Sequence, residues 1–274
     1  MTAVYIIIGI TLAACAVLLY CVFPSRRKTD FFEKHKYFAH RGLHDNAGVP
    51  ENSLAAFSLA AEKGYGIELD VHLTSDGKLA VFHDDDTSRM CGEKLTPEKE
   101  TLSRLKELSL LGTEEKIPSF EETLALVNGR SPLIVEIKGT STDTAVCAAA
   151  AEALDNYAGE YCIESFNPVY VGWWKKNRPS VVRGQLSCRM PKQKGIVEKL
   201  KFFALGNMLM NFISRPDFIA YEHHGSGRLA FRLARALGGI PVAWTVRSKS
   251  ELEKAKKHFV SFIFENEKET LGIE

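Results

Sequence analysis

FAHRG at Phe38–Gly42, PENSLAAF at Pro50–Phe57, IELDVHLTSDG at Ile67–Gly77 and VFHD at Val81–Asp84 decide how this chain is read. In a half-buried strand, residues two apart point the same way. Within the third piece Ile67, Leu69 and Val71 therefore share one face, and Glu68 and Asp70 the other. Two carboxylates held side by side repel by roughly 4 kcal/mol at ~4 Å and an effective dielectric of about 20. A fold keeps such a pair by protonating one member or by placing a cation between them.

LIVEIK at Leu133–Lys138 has the same parity. Leu133, Val135 and Ile137 face one way; Ile134, Glu136 and Lys138 face the other. Glu136 becomes a third acid. Three carboxylates suit a hard, oxygen-seeking ion, Ca²⁺ or Mg²⁺, with Mn²⁺ a third option. His40, Arg41 and His83 each follow an apolar run. That supplies two imidazoles for proton transfer and, with Lys138, two fixed cations for an anion. The set points to metal-assisted phosphoryl chemistry.

Taken in order, HRG, PEN-S-L-AF, ELDV-LT-DG and HD, then IPSFEETL at Ile117–Leu124 and EIK at Glu136–Lys138, resemble the glycerophosphodiester phosphodiesterase family. The matching is strong over Tyr37–Lys138 and weaker beyond. The resemblance implies a (β/α)₈ barrel over residues 37–274, with a small insertion after the third strand, at about 84–118. It implies Glu68, Asp70 and Glu136 as metal ligands, His40 and His83 as the acid–base pair, and Arg41 and Lys138 as phosphate-binding cations. Phe166, in SFNP at Ser165–Pro168, and Trp244, in AWTV, are expected to line the substrate pocket. Glu51 is expected to ligate the ion, to orient Arg41 or to cap a helix. The sequence departs from the family in three places: Asn167 and Arg247 stand where relatives often have Asp and Asn, and Phe264-Glu265-Asn266 ends the last strand. The implied reaction is hydrolysis of glycerophosphodiesters to glycerol phosphate and an alcohol. The close alternative is lysophospholipase D action on a lysophospholipid; an inactive, membrane-anchored binding protein is the remote one.

The remaining sequence sets bounds. Strands alternate with helices without repeats, which is the parallel α/β pattern. Leu79–His83 is read as a third barrel strand whose parity would aim His83 into the lumen. The 274 residues carry a formal net charge of +1, which gives no sign of a nucleic-acid partner. The six cysteines show no CxxC spacing, so no zinc knuckle is expected. Ala3–Phe23 contains no charge and is long enough to cross a bilayer. A cleaved signal peptide would want positive charge before the apolar run; here Arg26, Arg27 and Lys28 follow it. Leu12-Ala13-Ala14-Cys15 looks like a lipoprotein box, but apolar sequence continues past it. The reading is a single-pass anchor over residues 1–24, a linker over 25–36 and a cytoplasmic catalytic domain. Lys194–Ile213 is unusually apolar, and is read either as packed on the barrel or as dipping into a membrane.

Overall fold

The computed structural model describes residues 2–190 and 194–272. The ends of the expected anchor and barrel, residues 1 and 274, lie outside them. From the amino terminus run helix α1 (Thr2–Val22), helix α2 (Phe31–Lys34), strand β1 (Tyr37–Ala39), helix α3 (Leu54–Glu62) and strand β2 (Gly66–Leu73). Strand β3 (Leu79–Val81), short helices α4 (Ser88–Cys91) and α5 (Leu102–Leu105), and helix α6 (Phe120–Val127) come next. Strands β4 (Leu133–Ile137), β5 (Tyr161–Ser165) and β6 (Val182–Ser187) follow, with helices α7 (Ala145–Asp155) and α8 (Pro168–Asn177) between them. The chain then forms helices α9 (Ile196–Gly206) and α10 (Asn211–Ser214), strand β7 (Phe218–Glu222), helix α11 (Leu229–Ala236) and strand β8 (Ile240–Val246). Helix α12 (Lys249–Ala255), strand β9 (Ser261–Phe264) and helix α13 (Glu267–Leu271) complete it.

Eight strands, in the order β1-β9-β8-β7-β6-β5-β4-β2, pair in parallel, and β1 pairs with β2 to close the barrel. Parity sorts the strand residues into two sets. Ile67, Leu69, Val71, Val135 and Ile137 point outward and pack with Phe57 of α3, Val127 of α6 and Trp174 of α8. Phe38, Ile134, Cys162, Phe218, Val242 and Ile263 point inward. Space for the inner rings comes from two glycines. A Cβ on Gly66 would stand 2.4 Å from the Phe38 ring, and one on Gly184 would stand 2.2 Å from the Phe218 ring.

Two expectations are corrected. β3 is not a barrel strand: it pairs antiparallel with the end of β2, Val71 opposite Val81 and Leu73 opposite Leu79. The turn Thr74–Gly77 is the reason, because a parallel crossover needs a dozen or more residues and a tight turn can only reverse the chain. The insertion thus begins with this hairpin. Ala80, Phe82, Met90, Leu105, Leu108, Leu110 and Ile117 give it a small core of its own. Leu79 and Val81 belong to the outer cluster, so strand parity does not aim His83 into a lumen. The second correction concerns the linker. α2 buries Phe31 and Phe32, and Phe32 meets Phe218 edge-on at 4.8 Å. These rings fill the amino end of the barrel. Arg27 is also engaged, pairing with Asp217 and donating to the Val181 carbonyl at 2.7 Å.

Every residue of α1 from Thr2 to Tyr20 is exposed. Its 21 residues make it one helix long and apolar enough to cross a membrane, about 31 Å at 1.5 Å per residue.

Candidate active site

The first turn after β1 is built on reversed backbone. Arg41 (φ 56°) and Gly42 (φ 80°) are both left-handed. A side chain at Gly42 would also press within 2.8 Å of the Ala56 Cβ. This turn brings the Arg41 amide onto Glu68 Oε2 at 2.9 Å and its guanidinium onto Glu51 Oε1 at 2.6 Å. Asn52, also left-handed, donates its amide to the Arg41 carbonyl at 2.8 Å and its side chain to Asp70 Oδ2 at 2.8 Å. The cap of α3 is Ser53, whose hydroxyl accepts from the Ala56 amide. The capping reading of Glu51 is thereby corrected: Glu51 holds Arg41 and is itself gripped by Arg89 at 2.6 Å.

Parallel pairing sets Asp70 beside Glu136 and Glu136 beside Glu164. Oxygens of Glu68, Asp70 and Glu136 lie within 4.8 Å of one another, and all three residues are buried. Lys138 Nζ stands 3.0 Å from Glu136 and 3.3 Å from Asp70. Sequence reasoning misses Glu164; its inward parity on β5, beside Cys162, is the signal that could have found it.

Burial pushes the Glu68 and Glu164 carboxyls well above the usual range, and neighbouring acids add to it. Burial likewise moves Glu136 to about 7, against the pull of Lys138. Burial acts on Asp70 too, but the charges of Lys138, His83 and Arg41 outweigh it and hold its carboxyl well below the normal range. Four buried acids therefore face two fixed cations. Asp70 Oδ1 has no hydrogen bond, and neither has Glu164 Oε2. This donor set, all oxygen and short of positive charge, fits a hard divalent cation.

His40, Arg41, Glu68, His83, Glu136, Glu164, Phe166, Trp244 and Arg247 line one cavity of about 110 Å³. Phe166 and Trp244 meet edge to face at 5.7 Å on its wall. His40 Nδ1 contacts Glu265 Oε1 at 2.6 Å, while Nε2 is 3.9 Å from Glu68. Glu265 is kept ionised: burial opposes this, but its bonds to His40 and Arg247 prevail. The proton therefore belongs on Nδ1, leaving Nε2 free to accept. Burial takes His40 down to about 4, so the ring is neutral near pH 7. His83 Nδ1 contacts Asp84 at 2.6 Å, and Arg89 in turn holds Asp84 at 2.6 Å. The His83 side chain is 32% exposed against 12% for His40. His72 is spent elsewhere, on Glu98 at 2.6 Å. Among the described residues a second group, His223, His224 and Glu251, also clusters, but Glu251 Oε2 is taken by the Arg247 amide at 2.7 Å.

A closed parallel barrel with acids, imidazoles and fixed cations at the carboxyl ends of its strands is the architecture of a barrel hydrolase that works on anionic esters. The comparisons narrow this to one family. Residues 40–267 match the glycerophosphoryl diester phosphodiesterase family, and the chain belongs to it. A glycerophosphodiester phosphodiesterase of Caldanaerobacter subterraneus subsp. tengcongensis is 31% identical over 245 residues, covering 85% of this chain and 94% of its own. An Oleispira antarctica phosphodiesterase, solved with the product sn-glycerol-3-phosphate, superposes with a TM-score of 0.68 at 24% identity, over 84% of this chain and 92% of its own. A glycerophosphodiester phosphodiesterase of Thermotoga maritima gives 0.64 at 24% identity, over 84% and 94%.

Proposed function

We propose that this chain hydrolyses glycerophosphodiesters to sn-glycerol 3-phosphate and an alcohol, with a divalent cation held by Glu68, Asp70 and Glu136. The observation that carries the reading is that these three acids cluster, and that two of them, Glu68 and Glu136, border one cavity with both imidazoles. The name of the Caldanaerobacter relative and the product held by the Oleispira one support it.

The cation, Ca²⁺ or Mg²⁺ by its donor set, would polarise a phosphate oxygen. Arg41 and Lys138 neutralise the phosphate as its charge shifts. His40 Nε2 accepts the proton of the attacking oxygen, while Glu265 steadies the imidazolium from the other side of the ring. His83, whose ring burial lowers but Asp70 and Asp84 draw back toward the charged form, protonates the departing alcohol. Each such transfer is worth about 10²–10⁴ in rate. Phe166 and Trp244 give the organic part of the substrate an apolar wall.

A second reading has one observation in its favour, the exposed apolar helix α1. With α1 in a bilayer and the basic Arg26–Lys28 on its cytoplasmic side, the substrate is a lysophospholipid and the same bond is cut. The test is turnover of glycerophosphocholine and of lysophosphatidylcholine, each with and without EDTA. Chelation is expected to stop both; turnover that survives EDTA overturns the metal-dependent reading. Preference for the lysolipid by tenfold or more would favour the second reading (about 1.4 kcal/mol).

A further inference from the structure

Helix α9 rises from the barrel's carboxyl edge and is left largely uncovered. Its end is fixed there: the Leu205 carbonyl accepts from Ser187 Oγ at 3.1 Å, and Ser187 closes β6 one residue after Leu186, which lines the cavity. Leu205 and Phe202 are half-buried toward the protein. Ile196, Val197, Leu200 and Phe203 are 76%, 73%, 65% and 60% exposed. At helical spacing these four fall within an arc of about 120°, and Lys199 and Lys201 stand on its two borders. An apolar arc edged by lysines is the pattern of a helix lying in a headgroup layer, the stems reaching along the acyl boundary and the ammonium groups reaching phosphate.

The position of α9 says which surface covers that arc. Four residues separate Gly206 from Asn211, five steps of chain that span at most about 17 Å. Asn211 donates to the Val22 carbonyl at 3.0 Å, and Arg215 donates to the Tyr20 and Phe23 carbonyls at 3.0 and 2.7 Å. Phe212 stacks on Tyr20 at 6.0 Å. The last turn of α1 is thus clamped to the segment that follows α9.

We propose that α9 lies in the interface of the bilayer that α1 enters, and so holds the barrel mouth against an anionic lipid surface. This rests on the reading of α1 as an anchor. The full chain, in vesicles of phosphatidylcholine and phosphatidylglycerol, carries the test. In Phe203→Trp, emission beyond that of the wild type is expected to be quenched by lipids brominated in the upper acyl chain. Leu200→Glu with Phe203→Glu is expected to cut turnover of vesicle-borne lysolipid by about tenfold and to leave soluble glycerophosphocholine within about twofold. Retention of Phe203→Trp in vesicles with its added emission unquenched overturns the inference alone. So does a double variant that turns a dimer into a monomer, because a second copy then covers the arc. Release of the whole chain by alkaline carbonate removes the anchor and this inference together, whatever the substrate assays return.

Discussion

The two ends of the barrel use the same inward strand positions for opposite purposes. At the amino end Phe38 and Phe218, with Phe31 and Phe32 from α2, fill the lumen with rings. One or two pleats further along, the inward positions hold Glu68, Asp70, Glu136 and Glu164. Burying rings is favourable; gathering buried carboxylates is not. The lower layer therefore stabilises the fold, and the upper layer stores charge that the lower layer must hold in place. Substitutions should separate the two, with activity and stability moving independently.

The largest effect is expected at Glu68. Its carboxyl is held neutral by burial and by its acidic neighbours, so Glu68→Gln copies the ion-free state and leaves thermal stability within about 1 kcal/mol. Turnover should fall by about 10³ or more, some 4 kcal/mol. A folded Glu68→Gln enzyme with full kcat/KM would break the comparison. The converse change is Phe38→Ala, at a fully buried ring. It should cost about 3–4 kcal/mol in denaturant unfolding, with kcat per folded molecule unchanged.

Glu265 sharpens the division within the mouth itself. Glu265→Gln keeps an acceptor for His40 Nδ1 but removes the charge that favours the imidazolium. A loss of about tenfold in kcat, with KM unchanged, is expected. His40 would titrate still lower, so the acid limb of the pH–rate profile moves down. An unmoved limb would show that Glu265 serves Arg247 alone.

What the sequence yields divides along the same line. Strand parity exposes Glu68, Asp70 and Glu136 because alternation is a local property. It does not say that β3 leaves the barrel, although the four-residue Thr74–Gly77 turn is too short for a crossover. Glu265 reads in sequence only as a departure from the family. Its partnership with His40 exists because β9 closes on β1, where the His40 amide bonds the Phe264 carbonyl at 2.9 Å. Phe31 and Phe32 lie among charged residues and read as linker; only the far strand β7, carrying Phe218, makes them core. Asn52 and Arg89 act through side-chain bonds across 18 and 38 residues, which no periodicity records.

The smallest effect tests whether the charge stored in the mouth is real. Glu136 titrates near 7 in the folded chain, against about 4.3 when unfolded. A raised carboxyl contributes stability that is complete below the unfolded value and is lost as pH rises through the folded one. Measured against Glu136→Gln, the ion-free wild type should therefore gain about 1 kcal/mol between pH 8 and pH 6.5, the raised Glu68 and Glu164 carboxyls contributing to both proteins. The histidines that burial depresses, His40 to about 4 among them, oppose the gain as pH falls to their unfolded value near 6.5, and do so equally in both proteins. In EDTA the melting temperature of the wild type, taken relative to that of Glu136→Gln, should show this pH dependence, rising on acidification. Saturating Ca²⁺ or Mg²⁺ should reverse its sign, because a cation among the acids favours their ionised forms and binds more tightly as pH rises. A difference between wild type and Glu136→Gln that is flat in EDTA across this window would mean that Lys138 already balances Glu136, leaving the three acids no unmet demand for a cation.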